Sequence, residues 1–190
     1  TGHMLAGAIY AALAQAVPSK VIADSGSAPS MRAIFSGLNP KGNRFTQILF
    51  ASGGMGARPT KDGISTIAFP TNAGAGSIEA FESVAPLIVW QKEFRTDSGG
   101  AGMYRGGLGQ VCEIESRALE PLQLSLLSDR WRHPATGVLG GLEGAKSHIS
   151  FSDGTVPHQK SRTVIEPGIR LKMIYAGGGG YGDPTQRERG

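Results

Sequence analysis

Apolar residues recur along the chain with two periods, one typical of a helix and the other of strands. Near the start, Leu5, Ile9 and Leu13 are spaced four residues apart before a proline. This spacing predicts a helix that ends at the proline. Later in the chain a period of two dominates, which is the period of half-buried strands. The pattern divides the chain into a mixed helix, loop and strand region over 1–85 and a β-rich region over 86–190.

Three shorter elements are predicted before residue 86. The stretches 46–51 (TQILFA) and 64–69 (ISTIAF) are strand candidates, and each leads into a loop rich in glycine or alanine. A short helix is indicated around 78–86 (IEAFESVAP), and the irregular stretch 21–43 has room for one strand.

Five strands are predicted after residue 85, at 87–95, 110–116, 122–128, 148–155 and 169–176. The first opens as a continuous apolar run, as expected of a strand buried on both faces. The other four alternate, and the fourth contains Asp153-Gly154, a short hairpin signal. The predicted fold class is α+β and mostly β: an N-terminal helix followed by a glycine-rich antiparallel unit that resembles a sandwich or a barrel.

The composition predicts many tight turns and argues against some classes of function. Glycine occupies 29 of 190 positions, about twice the usual share of roughly 7%. The 19 Lys and Arg residues against 15 Asp and Glu give a net charge of only +4. Because no run of basic residues is interleaved with aromatic ones, we do not expect a nucleic-acid-binding protein.

The lone cysteine and the opening segment bear on location. Cys112 has no partner for an internal disulfide, which fits a reducing, cytoplasmic setting. The first 18 residues could imitate a secretory signal, but no basic region precedes their apolar part. No apolar run approaches the roughly 20 residues that span a bilayer, so we expect no membrane association.

The stretch GGGGYGDP at 177–184 raises the question of a phosphate-binding loop. No Lys-Ser/Thr pair follows the glycines in the register of a P-loop, and Asp183-Pro184 disfavours a helix there. One interpretation is a tight corner where glycine permits positive φ angles and close backbone approach, with Tyr181 against the sheet. The other is a loop whose N–H groups, above all those of Gly178 and Gly179, bind an anion.

The glycine segments, taken together and in order, resemble the hydantoinase B family. The matching stretches are FRTDSGGAGMYRGGLG (94–109), DRWRHPATGVLGG (129–141), the DG…K pattern of 153–160, and EPGIRLKMIYAGGGGYGDP (166–184). This family includes the B subunits of ATP-dependent N-methylhydantoinases, the matching half of 5-oxoprolinases and the α-type subunits of acetone carboxylases. The resemblance covers essentially the whole chain and implies a single C-terminal domain, residues 1–190, or a fragment of a longer subunit.

The chain departs from the family pattern in two loops. Where the family often has Thr-Asn followed by Asn-Thr-Pro-x-Glu, this chain keeps Thr71, Asn72, Glu79 and Glu82 but has Ser77 in place of the proline. Its Pro-Gly before the last strand is followed by Ile169 and not by aspartate. The His- and Asp-rich region that resembles the metal-bearing part of related subunits is also absent, so any divalent metal is expected outside this chain.

The resemblance implies a reaction shared between polypeptides. A hydantoinase A-like subunit uses ATP to phosphorylate the oxygen of a cyclic amide such as hydantoin, N-methylhydantoin or 5-oxoproline, and the B-type subunit completes the hydrolysis. Phosphorylation turns a poor leaving group into a good one, and a site for such an intermediate needs cations and N–H donors. The implied partners are the A-like subunit, which carries the ATP, and the remainder of the B-type subunit, in a hetero-oligomer.

The candidate site residues lie in the motifs that carry the resemblance. The catalytic candidates are Asp97, Arg130, Arg132 and His133. The candidates for binding substrate or an anion are Asn72, Glu79, Ser98, Arg105, Lys160, Gly178 and Gly179; no metal ligands are assigned. Both segments could instead have a purely structural role. In a strand Arg130 and Arg132 would share a solvated face opposite a buried Trp131, and Asp97-Ser98 is a sequence that favours turns.

Three functions stay open at this point. The first is the cyclic-amide hydrolase subunit, with the isolated fragment inactive by itself. The second is a subunit of an ATP-dependent carboxylase of the acetone type, and the third is a catalytically silent module for structure and assembly. A terminal Thr1 nucleophile that uses its own amino group as a base is a further rival, supported by nothing but its position.

Overall fold

A computed structural model describes residues 2–27, 32–74 and 76–187. Its helices are α1 (Gly2–Leu13) and α2 (Ile78–Val84), with short 3₁₀ turns at Pro18–Lys20 and Pro184–Gln186. Its strands are β1 (Arg32–Leu38), β2 (Arg44–Phe50), β3 (Leu87–Phe94), β4 (Gln110–Ser116), β5 (Leu122–Leu127), β6 (His148–Phe151), β7 (Lys160–Ile165) and β8 (Arg170–Ile174). The terminal-nucleophile hypothesis concerns Thr1, which lies outside the described residues.

The strands form two four-stranded antiparallel sheets. One has the order β2-β1-β5-β7 and the other the order β3-β4-β8-β6. Inward side chains from all eight strands belong to one buried cluster, so the sheets pack face to face around a common core. The prediction of a mostly β fold is confirmed, and within the described ranges the sheets do not close into a barrel.

Alternation in the sequence accounts for the core. Cys112 and Ile114 on β4, and every second residue of β5 and β8, point inward and are fully buried. The prediction that β3 is buried on both faces is wrong, because Trp90 and Phe94 keep 52% and 60% of their surface exposed. A continuous apolar run suggests burial on two sides, but the outer face of this sheet is open.

Two further strand predictions are corrected. Residues 64–69 form no strand: Thr66 has a φ of +48°, and its N–H donates to Leu108 in a loop. The Asp153-Gly154 turn is present, with Gly154 at φ +88°, but it does not make a hairpin, since β6 and β7 lie in different sheets. The edge strand β7 was missed because, apart from its last residue, its side chains are at most half-buried, which leaves little apolar pattern.

Beside the sandwich lies a second unit of extended segments, here called the glycine bundle. It comprises residues 23–27, 52–57, 98–109, 135–145 and 176–182. Backbone hydrogen bonds of 2.8–2.9 Å join these segments, for example from Gly54 to Ala176, from Gly107 to Met55 and from Gly180 to Leu142. The bundle satisfies its backbone groups without forming regular strands across most of its length.

The four glycines 177–180 run through the middle of this bundle. A Cβ on Gly177 or Gly180 would approach the carbonyl oxygens of Ser98 or Ala101 to within 1.7 and 2.1 Å. A Cβ on Gly178 or Gly179 would meet two other segments, at Met55 and Thr136, at 2.0 Å. Gly177 and Gly180, three residues apart, therefore face the same neighbouring segment. This is the geometry of an extended helix with three residues per turn. Glycine is required here by close backbone approach on every side.

The close backbone approach expected of GGGGYGDP is confirmed, but the expected tight corner with positive φ angles is wrong for the four glycines. Within 177–184 only Gly182 has a positive φ, +74°. Tyr181 is buried, but its hydroxyl donates to the carbonyl of Pro18 at 2.7 Å, after α1, and its backbone pairs with Tyr104. The motif is an extended central segment whose end is tied to the N-terminal part of the chain.

Candidate functional site

The segment after β5 carries the catalytic candidates and is not a strand. Arg130 sits in a turn with a φ of +65°. Its guanidinium makes a two-pronged ion pair with Asp24, with Nη1 2.6 Å from Oδ2 and Nη2 2.8 Å from Oδ1. Only 10% of the Arg130 side chain and 16% of that of Asp24 are exposed. The prediction of a solvated strand face is wrong for Arg130, which instead ties this turn to the glycine bundle.

Beyond this ion pair the same segment presents cations to solvent. The Arg132 guanidinium stacks over the Trp131 ring, 4.2 Å from its centroid, and both Arg132 and His133 are exposed. The Trp131 ring also meets the His158 ring edge to face, and the nearby Lys160 ammonium lies 2.6 Å from a carboxylate oxygen of Asp129. We call this the Trp131 patch (residues 129–133, 158 and 160). The structure thus brings Arg130, Arg132, His133 and Lys160 into one region.

Asp97 and Ser98 lie in a turn at the edge of the glycine bundle. Asp97 is exposed and has a φ of +53°. Ser98 is buried, and its hydroxyl donates to the Arg95 carbonyl at 2.7 Å while it accepts the Gly109 N–H at 2.8 Å. The Ser98 side chain is therefore part of the turn, and Asp97 is the member of the pair that solvent reaches.

The N–H groups of Gly178 and Gly179 are both used within the chain. That of Gly178 donates to the Gly107 carbonyl at 3.0 Å, and that of Gly179 donates to the Asp24 carbonyl at 2.9 Å. Both residues are buried. A phosphate has neither free donors nor space at this position, so ATP does not fit the glycine run.

Asn72 and Glu79 belong to a separate, exposed region. Asn72 occupies a turn with a φ of +52°, and its N–H donates to Ala68. Glu79 lies in the first turn of α2, whose N-cap is Ser77: the Ser77 hydroxyl accepts the Ala80 N–H at 3.1 Å. Serine in place of the family's proline therefore has a defined local role, since it caps the helix.

Arg105 has neighbours that the sequence did not indicate. Its backbone N–H donates to the Asp62 carboxylate at 2.7 Å. The Arg187 guanidinium donates to both oxygens of the same carboxylate, each at 2.8 Å. The hydrogen bond from Arg187 is the main reason why the pKa of Asp62 is lowered, and burial opposes it. No local pattern could reveal this cluster, because Asp62 and Arg187 are 125 residues apart.

An open cavity of about 460 Å³ adjoins this cluster. We call it the Asp62 site; its lining residues are Lys61, Asp62, Met103, Tyr104, Gln186 and Arg187. Arg58 closes the loop beneath it, donating from Nη2 to the Asp62 backbone carbonyl at 2.8 Å. Three segments from distant parts of the chain thus meet at one charged opening.

Other chemistry is not assembled in the described part of the chain. No three His, Cys, Asp or Glu side chains in it come together in a way that could hold a metal ion. Burial raises the pKa of the Cys112 thiol to about 12, which leaves it unsuited to act as a nucleophile at neutral pH. None of the described helices has the length and apolar character to cross a membrane.

Comparisons with known proteins place these features in context. The family model for hydantoinase B/oxoprolinase matches residues 1–184. The β subunit of caprolactamase from Pseudomonas jessenii is 32% identical over 96% of this chain, and 5-oxoprolinase 1 from Arabidopsis thaliana is 37% identical over 68% of it. The chain spans about a third of the caprolactamase subunit, 34%, and 10% of the oxoprolinase.

Solved structures agree with the fold. The crystal structure of the ATP-dependent caprolactamase from Pseudomonas jessenii matches 94% of this chain with a TM-score of 0.76 and 27% identity, over 33% of its own chain. An acetone carboxylase in its nucleotide-free form matches 92% of this chain with a TM-score of 0.68, over 28% of its own chain. At 20% identity the carboxylase likeness extends to the fold alone.

Proposed function

The chain belongs to the hydantoinase B/oxoprolinase family, and from this premise we propose that it is part of the B-type component of an ATP-dependent enzyme that hydrolyses a cyclic amide. The observation that carries the proposal is the 32% identity over 96% of the chain with a caprolactamase β subunit. Caprolactam, hydantoin and 5-oxoproline share a ring amide whose carbonyl resists attack by water. The substrate proposed is a member of this class: hydantoin, N-methylhydantoin or 5-oxoproline.

The proposed complex divides the chemistry between polypeptides. An A-like partner binds ATP and transfers a phosphoryl group to the amide oxygen, and the complete B-type subunit, of which this chain is a part, hydrolyses the activated ring in the cytoplasm. Two relatives are themselves named as subunits, one of a caprolactamase and one of a D-/L-hydantoinase, which supports a hetero-oligomer. Any divalent metal is supplied from outside this chain.

Within this chain the proposed contributors are the candidates that solvent reaches. Arg132, His133 and Lys160 in the Trp131 patch are exposed, as are Asp97 and Arg105. Asn72 and Glu79, in their separate region, are exposed as well. Cations so placed can stabilise the negative charge of a phosphorylated intermediate, while the imidazole can carry a proton. Arg130, Ser98, Gly178 and Gly179 act by holding the turn and the bundle in place.

One observation favours a second candidate function, that of a module for structure and assembly. Four of the residues with candidate chemistry, Arg130, Ser98, Gly178 and Gly179, have contacts within the chain. In addition, α1 contains no buried residue, and Leu5, Ile9 and Leu13 remain 43–59% exposed. A helix without charged residues whose apolar stripe is open is typical of a surface that other polypeptide covers.

The deciding experiment is reconstitution. The complete B-type subunit and its A-like partner are combined with ATP and, in parallel, with hydantoin, N-methylhydantoin, 5-oxoproline, caprolactam, or acetone plus bicarbonate. Ring opening that depends on ATP supports the proposal, whereas carboxylation of acetone would replace it with the carboxylase. The 190-residue chain alone is expected to show no turnover, and measurable activity of this chain by itself would contradict that expectation.

A further inference from the structure

The Asp62 site joins the two most distinctive glycine motifs. Met103 and Tyr104 come from the DSGGAGMYRGG motif, and Gln186 and Arg187 closely follow GGGGYGDP. Lys61 and Asp62 complete the lining from a third loop. The backbones of Tyr104 and Tyr181 pair with each other, and the Gly63 N–H donates to the Arg105 carbonyl at 2.8 Å. The opening therefore rests on the glycine bundle and does not depend on a single loose loop.

The charge of this opening is strongly positive. Lys61 and Arg187 line the opening together with Asp62, which is the one carboxylate among the described residues that line it. The hydrogen bond from Arg187 lowers the pKa of Asp62 most, and Arg105 is close enough to help lower it. Arg58 lies in the same loop as Asp62. Arg187 donates hydrogen bonds to both carboxylate oxygens of Asp62, and Arg58 donates to the Asp62 backbone carbonyl. Within the described ranges, the Lys61 ammonium and the Arg105 guanidinium have no hydrogen-bond or ion-pair partner, and both residues are exposed. Two cations are thus available beside a third that is already fixed.

This arrangement matches a phosphate group. Arginine binds phosphate oxygens through paired N–H groups, and lysine binds them as a point charge. A cation held in place before binding loses little side-chain entropy when the ligand arrives. The Tyr104 ring and the Met103 thioether add an apolar wall, and about 460 Å³ is room for a small molecule.

We infer that the Asp62 site binds the phosphate group of a small phosphorylated molecule, with Lys61 and Arg105 as its ligands and Arg187 fixed beside them. Under the proposed function, on which this assignment of the ligand rests, that molecule is the cyclic amide after its oxygen has been phosphorylated. The Tyr104 and Met103 side chains then contact the ring, and the cations hold the phosphate before and after the amide is opened.

Titration of the 190-residue chain with inorganic phosphate at low ionic strength, followed by calorimetry, tests the inference. Saturable binding is expected, and the double variant Lys61→Gln/Arg105→Gln should weaken it by about tenfold or more, because two charge-assisted contacts are lost. The matched control is Lys41→Gln/Arg44→Gln, which removes the same charge from exposed positions at the β1–β2 turn. The control should change the affinity by less than about twofold. Absence of saturable binding, or equal weakening in the control, would overturn the inference.

Two further experiments identify the class of ligand and test the inference separately from the proposed function. Acetyl phosphate should bind at least as well as inorganic phosphate, and ATP should bind no better; tighter binding of ATP would assign the site to a nucleotide and refute the substrate assignment. In the reconstituted enzyme the Lys61→Gln/Arg105→Gln variant should lower kcat/KM for the cyclic amide, because contacts to the phosphorylated intermediate are lost. An unchanged kcat/KM in this variant would sink the inference and leave the proposed function standing. Phosphate binding in a complex that shows no ATP-dependent ring opening would support the phosphate site and refute the proposed function.

Discussion

Arg130 and Asp24 are 106 residues apart in the sequence, yet their side chains form a two-pronged ion pair with N···O distances of 2.6 and 2.8 Å. The pair is almost completely shielded from solvent. It links the turn after β5 to the first segment of the glycine bundle, next to α1, where a Cβ on Gly7 would lie 2.9 Å from Asp24. This contact orients the segment that carries the exposed Arg132 and His133.

Breaking this ion pair should destabilise the protein. In Arg130→Leu the Asp24 carboxylate keeps its charge but loses its main partner in a shielded position, which costs about 3 kcal/mol of unfolding free energy. Chemical denaturation followed by circular dichroism measures the loss. The control Arg132→Gln changes an exposed cation and should alter stability by less than about 0.5 kcal/mol. Equal losses in the two variants would show that the buried pair has no special role.

A methyl group inside the glycine bundle should be far more harmful than one outside it. In Gly177→Ala the new Cβ would lie 1.7 Å from the Ser98 carbonyl oxygen, and backbone cannot move aside as a side chain can. We expect a loss of about 4 kcal/mol or more, or failure to accumulate as folded protein. Gly74→Ala, where no atom lies within 4 Å, is the control. A thermal melt of Gly177→Ala that coincides with the control would contradict the close packing.

The Asp62 carboxylate should contribute to stability in a pH-dependent way. Its pKa in the folded state is lowered, first by the hydrogen bond from Arg187. The contribution is therefore fully present above the pKa of the unfolded chain, about 4, and is lost as the pH falls through the lower, folded pKa. Asp62→Asn should be less stable than the parent at pH 7, and the difference should shrink below pH about 4. The exposed Glu79→Gln variant serves as the control in urea unfolding; a difference that grows on acidification would refute the ion pair.

Cys112 should resist alkylation while the protein is folded. The thiol is fully buried in the core and burial raises its pKa to about 12, so both access and thiolate are lacking at pH 8. Labelling with iodoacetamide, measured by mass spectrometry, should be slow in buffer and complete in denaturant. Rapid labelling in buffer would show that the sandwich core opens readily.

Two exposed side chains of the Trp131 patch, those of Arg132 and His133, should affect turnover and not folding. In the reconstituted enzyme, Arg132→Gln and His133→Gln should each lower kcat by about tenfold or more if they act on the developing charge. Melting temperatures should stay unchanged because both side chains are exposed. The exposed Lys41→Gln variant provides the comparison. Wild-type kcat in both patch variants would remove Arg132 and His133 from the proposed site.

Local pattern predicted the secondary structure where one face of an element is buried and the other is not. The alternation in β4, β5 and β8 and the short helix α2 were visible in the sequence for this reason. The predictions for 64–69 and for the outer face of β3 failed because apolar residues there serve a loop and an open surface. Strand β7 was missed because an edge strand needs hydrogen bonds to one neighbour only, and its side chains carry almost no apolar signal.

Residue order alone was enough to establish the family, the mostly β fold class and the presence of unusual glycine segments, since each depends on motifs and periodicities that can be identified along the chain one segment at a time. What those segments do became visible only in three dimensions. The fold places Gly177 to Gly180 among other segments of the glycine bundle with their N–H groups already used, pairs Arg130 with Asp24, and joins Asp62 to Arg187 across 125 residues. Contacts of this kind depend on how distant parts of the backbone approach each other, and no local periodicity records that distance.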